Sequence, residues 1–145
     1  MKATGIVRRI DDLGRVVIPK EIRRSMGIRE GDPLEIYTTN QGEVIFKKYK
    51  PLGDIVDTVK PIYSALASMG VVCAIYDNDG GKIAGAKNFP TSIPRDELEE
   101  NPSATLTIKS EGDILGYILA DKNVTPEQVM TLKTCALAIA RAYEN

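Results

Sequence analysis

Up to Phe46 the apolar positions come in short runs that either alternate with polar ones or are β-branched, a pattern of strands more than of helices. Thr4 to Ile10, apolar at Ile6 and Ile10, predicts a strand, and Asp11-Asp12-Leu13-Gly14 predicts the turn after it. Val16-Val17-Ile18 predicts a second, short strand. Pro19 suits a helix start because its missing N–H is not needed in the first turn, and Gly27 suits the stop. That leaves about two turns for Lys20 to Met26, with Ile22 and Met26 on one face and Arg23 and Arg24 displaced from it. Leu34 to Tyr37 and Val44 to Phe46 predict two more strands around a Thr39-Asn40-Gln41-Gly42 turn. The order is β-β-α-β-β.

After a junction at Pro51-Leu52-Gly53 the period changes. Ile55, Val59, Ile62, Leu66 and Met69 recur at spacings of four and three, a heptad-like stripe that predicts a helix over 54–69. Pro61 lies inside it, so the helix is either kinked or starts later than the stripe suggests. The stripe has two readings: an interface pairing dimers into tetramers, or the underside of a helix covering its own sheet. Val71 to Tyr76 and Lys82 to Ala86 predict a hairpin around Asn78-Asp79-Gly80-Gly81. Phe89 to Pro102 is polar and proline-bounded, with one helical turn expected at Asp96 to Glu99. Thr105 to Ile108 and Ile114 to Ala120 predict a second hairpin. Thr125-Pro126-Glu127-Gln128 has a capping residue, a proline and a Gln in the third helical position, and opens a helix to about Tyr143. The back half is therefore one sheet with helices packed on it, and the chain as a whole is α+β.

About fifty residues bury too little surface to be comfortable alone, so the front module is expected to dimerise, its short strands pairing across a two-fold axis. Charge separates the two halves further. Residues 1–52 hold eleven Lys and Arg against seven Asp and Glu, whereas residues 53–145 hold eight against thirteen. A basic front joined to an acidic back suits a nucleic-acid-binding module fused to a non-binding one. The chain contains no His, the usual general base and metal ligand, and offers no paired catalytic carboxylates. An enzyme is accordingly the disfavoured class, and no cofactor is expected. Cys73 and Cys135 lie far apart and outside any CxxC pattern, as small buried hydrophobes would. No apolar run is long enough to span a membrane and no apolar signal core follows Met1, so a soluble, cytoplasmic protein is expected.

Arg8, Arg15, Arg23 and Arg24 each fall at the edge of a short element, where a guanidinium can project clear of a core. Its planar fork holds phosphate oxygens in pairs and matches guanine O6 and N7 in a major groove. Arg9, Lys20, Arg29, Lys47 and Lys48 are candidates for contacts to the DNA backbone. In the back half, Tyr76, Gly85, Phe89 and Tyr117 would line a small-molecule pocket between the sheet and the loop that begins at Phe89, if one exists there.

Thr4 to Pro51, with "TGIVR", "LGRVVIP", "EIRR" and "VIFKKY" in order, resembles the DNA-binding module of AbrB-family transition-state regulators of spore-forming bacteria. The resemblance implies a swapped-hairpin homodimer over residues 1–52 in which two chains interleave strands and present arginines to double-stranded DNA. The family's DNA-contacting arginines fall on Arg8, Arg15, Arg23 and Arg24. The part of the family that the chain most resembles appends a GAF-like domain to this module, which implies a shortened GAF/PAS-like sensor or assembly domain over residues 53–145. With no long recognition helix, such a module would read DNA shape more than one strict sequence. Two other readings share this front module: a partner that hetero-associates with related regulators without binding DNA, and an AbrB-type antitoxin.

Overall fold

The computed structural model describes residues 3–100 and 105–145, so the end of the Phe89–Pro102 stretch lies outside the described residues. The chain divides after Tyr49 into two compact units. In the first, helix α1 spans Lys20–Met26 and is followed by strands β1 (Leu34–Thr38) and β2 (Val44–Lys48). The two strands pair antiparallel, with Ile36 opposite Phe46 and Thr38 opposite Val44. Helix α1 ends at Gly27, which has φ of 67°, a left-handed conformation that glycine adopts without a Cβ penalty. The Ile28 N–H donates to the Arg23 carbonyl at 2.8 Å and the Gly27 N–H to the Arg24 carbonyl at 3.3 Å, which satisfies two orphan carbonyls in a Schellman arrangement.

The expected strands at Thr4–Ile10 and Val16–Ile18 do not form within the single chain. A strand needs another strand to bond its backbone groups, and among the described residues none pairs with these segments. Every residue from Ala3 to Val17 is exposed, Val7 at 84% and Val17 at 70%.

The second unit begins with a short 3-10 helix, Pro51–Ile55, which carries Leu52 into its core. Helix α2 (Val56–Ser68) follows without a break at Pro61. Strands β3 (Cys73–Asp77) and β4 (Lys82–Gly85) form the first hairpin, helix α3 (Arg95–Glu100) lies in the connection, and β5 (Thr105–Ser110) and β6 (Asp113–Ala120) form the second. The sheet order is β4-β3-β6-β5, antiparallel throughout. Helix α4 (Pro126–Glu144) opens with a complete capping box. The Gln128 N–H donates to the Thr125 hydroxyl at 3.2 Å, and the Thr125 N–H donates to the Gln128 side-chain oxygen at 3.1 Å.

Because successive strand residues point to opposite faces, β3 and β6 serve two layers. Cys73 and Ile75 of β3 and Ile118 and Ala120 of β6 pack with Val59 and Leu66 of α2 and with Leu132, Ala136, Ile139 and Ala140 of α4. Ala74, Tyr76 and Tyr117 face the other way, onto Leu98 of α3, Phe89 and Ile93. The reading of the 55–69 stripe as an interface is thereby corrected. Val59 and Leu66 are fully buried in their own unit and Ile55 and Ile62 pack against the same core, since the sheet's apolar face must be covered by something. Met69, 62% exposed, is the one member of the stripe left outside.

Candidate nucleic-acid interface

The turn from Asp11 to Gly14 is built by a single carboxylate. Asp11 Oδ1 accepts the N–H groups of Leu13 at 2.9 Å and Arg15 at 2.8 Å, while Oδ2 accepts the Arg15 Nε–H at 2.8 Å. The backbone closes the loop as well, with the Asp11 N–H donating to the Arg15 carbonyl at 3.0 Å. This ring of donors, led by the Arg15 amide and then its guanidinium, holds the Asp11 carboxyl below its ordinary range. The Arg15 side chain remains 70% exposed. Such a pair contributes little to stability in water but fixes where the guanidinium starts.

The other arginines are anchored differently. Arg23 Nε donates to the Ile18 carbonyl at 3.1 Å, tying the helix to the segment before it, and Arg24 is exposed on the next helical position. Arg8 reaches its neighbour's carbonyl, at Val7, and lies with Arg9 on the exposed N-terminal segment. Lys20, Arg29 and Lys47 are exposed. Lys48 is committed elsewhere: its ammonium donates to the Met26 carbonyl at 2.7 Å, capping the negative end of α1. It is a helix cap first, a role hidden from sequence reading because the two residues are 22 positions apart. The sequence places Asp11 at the start of the Asp-Asp-Leu-Gly turn, a position that suits Asp, but does not show that its carboxylate holds both the turn and the Arg15 guanidinium.

The first unit also exposes an unusual amount of apolar surface. Eleven large hydrophobic side chains between Ile6 and Phe46 are exposed, among them Ile36, Val44 and Phe46 of the β1–β2 hairpin.

Residues 7–54 match the family described as antidote-toxin recognition MazE, bacterial antitoxin. The chain is 62% identical over 80 residues to Stage V sporulation protein T of Bacillus subtilis (strain 168), a match that covers 54% of this chain and 45% of the relative. It is 63% identical over 51 residues to Transition state regulatory protein AbrB of the same organism, covering 35% of this chain and 52% of the relative. The first unit is a MazE/AbrB-type domain. The chain spans about half the length of the curated relatives it matches. The solution structure of the N-domain of the transcription factor AbrB is 63% identical, with 35% of this chain and 96% of that one covered and a TM-score of 0.33. A refined solution structure of the N-terminal DNA recognition domain of Bacillus subtilis AbrB covers 35% and 94%, with a TM-score of 0.30. The match to the sporulation protein is longer than the AbrB-type domain itself, so it continues into the second unit.

Beyond the AbrB-type domain, the residues expected to line a pocket fill a second small core instead. Tyr76 is fully buried and donates its hydroxyl hydrogen to the Pro90 carbonyl at 2.8 Å; Tyr117 is 2% exposed, with its hydroxyl 3.4 Å from Glu99 Oε1. Phe89 packs against them, and a Cβ on Gly85 would strike Ala74. Three aromatic rings occupy the space a ligand would need. An open cleft of about 340 Å³ lies to one side, lined by Ile93, Glu97, Leu98, Glu100, Thr105 and Leu119. Cys73 is buried, and burial together with Cys135 pushes its thiol up to about 11. That is the behaviour of an inert core thiol.

Proposed function

We propose that the chain is a transcriptional regulator whose AbrB-type domain binds double-stranded DNA as a homodimer through Arg8, Arg15, Arg23 and Arg24 of each copy. The observation that carries this reading is that all four arginines are exposed within a unit of AbrB-type sequence. Lys20, Arg29, Arg9 and Lys47 supply further backbone contacts, and Lys48 supports the interface from beneath by holding the end of α1. Relatives of the domain carry the names of transcription regulators, and the solved AbrB fragment is described as a DNA recognition domain.

The exposed apolar side chains, and the two strand-patterned segments that pair with no strand among the described residues, support dimerisation. In a swapped-hairpin dimer, Thr4–Ile10 and Val16–Ile18 of one copy pair with the other, which satisfies their backbone and covers Ile36 and Phe46. The second unit then acts as a GAF/PAS-like sensing or assembly module; its filled interior favours assembly over a ligand held between sheet and loop. Among the described residues no helix is long and apolar enough to cross a membrane. A regulator that binds DNA works in the cytoplasm of a bacterium. The name of the matching family favours a second reading, an antitoxin. A second unit with its own packed core speaks for the regulator.

The test is a titration of a fluorescent duplex at several salt concentrations with the wild type and with Arg23→Ala/Arg24→Ala. If all eight arginines of a dimer neutralise phosphates, the slope of log K against log salt approaches about −7, and the double variant makes it shallower. Weak binding that is equal in both proteins would contradict the proposal.

A further inference from the structure

We propose that Asp11 is a positioning residue for DNA recognition: it holds the Arg15 guanidinium by its Nε edge and turns the open end of the fork outward. The inference rests on the DNA-binding reading above. The Arg15 guanidinium bonds Asp11 through Nε alone, which leaves the four N–H donors of its two Nη groups without a partner among the described residues. Those four are the donors that take a phosphate or a guanine edge two at a time. The same carboxylate fixes the backbone of Leu13 and Arg15, so the loop and the fork share one anchor. Both residues belong to one loop, closed by the chain's own backbone.

Two effects oppose each other in such a pair. A carboxylate beside phosphates repels them, so removing it should tighten binding. An exposed arginine that is already oriented loses less freedom on binding, so removing its anchor should weaken it. With Arg15 held through one edge and open at the other, orientation outweighs repulsion.

Asp11→Asn separates the two. It keeps one oxygen to accept the Leu13 and Arg15 amides and loses the acceptor for Nε–H. The full-length chain is titrated against a fluorescein-labelled mixed-sequence duplex as wild type, Asp11→Asn, Arg15→Ala and the double variant. The expected result is a loss of about three- to tenfold for Asp11→Asn when Arg15 is present and no further loss in the Arg15→Ala background. Equal or tighter binding by Asp11→Asn would overturn the inference and leave Asp11 a repulsive charge. A loss of equal size in both backgrounds would overturn it too, assigning Asp11 to loop structure alone. Arg15→Ala binding like wild type would instead defeat the DNA-binding role of Arg15, and the inference with it. The Arg15 Nε–H resonance needs no variant: its protection in the DNA complex supports the anchor, and rapid exchange there overturns it.

Discussion

The two units of this chain handle apolar side chains in opposite ways. Among the described residues, all eighteen buried hydrophobic ones lie between Leu52 and Ala140, whereas eleven of the sixteen exposed large ones lie between Ile6 and Phe46. The second unit has a sheet with cover on both faces; the first has a two-stranded hairpin, a seven-residue helix and a long segment without regular structure. An isolated two-stranded hairpin is marginal in water. The second unit closes its own core, while the first leaves its apolar side chains uncovered, as the proposed dimer would require. Similarity follows the same line: the AbrB match is about the length of the first unit, and the sporulation protein's match continues past it.

Phe46→Asp should have the largest effect on the first unit. Phe46 sits opposite Ile36 on the exposed hairpin, and a carboxylate there should abolish dimerisation and DNA binding while the second unit melts as before. A dimer persisting in sedimentation would show that this surface is not the one covered. Ile75→Ala does the reverse: Ile75 is fully buried, and its loss should cost about 2–5 kcal/mol in denaturant unfolding of the second unit while duplex binding survives. Next comes Cys73. Its thiol keeps its proton up to about 11 when folded, against 9.0 ordinarily. Between those values the unfolded chain binds fewer protons, so stability of the second unit should fall as pH rises through that window. Alkylation of Cys73 in the native protein should correspondingly be slower than in the unfolded chain by about a hundredfold or more near pH ~8.5. The smallest effect is Gly27→Ala, which should cost the first unit about 1 kcal/mol, because the left-handed backbone at the end of α1 disfavours a Cβ.

Much of this division is legible in the sequence, and the parts that are not have physical causes. Helix α1, the β1–β2 hairpin, the two hairpins of the second unit and the capping box at Thr125 all rest on local signals, and all form. Alternation at Thr4–Ile10 reports sidedness, not the identity of a partner strand, so it could not show that the described residues of one chain supply none. The heptad-like spacing of Ile55, Val59, Ile62 and Leu66 marks an apolar stripe but not its occupant, which is the chain's own sheet. Tyr76 and Tyr117 carry the composition of a pocket lining and of a packed core equally well; only their neighbours Phe89, Ile93 and Leu98 decide. The arginines are legible by type and position, whereas the anchors of Arg15 and the commitment of Lys48 depend on turn and cap geometry.

Amide hydrogen exchange across Thr4–Ile10 and Val16–Ile18 tests most directly the claim that the first unit is completed by a second copy. These amides should be protected at micromolar concentration and lose protection on dilution. Rapid exchange of these amides at every concentration would contradict it.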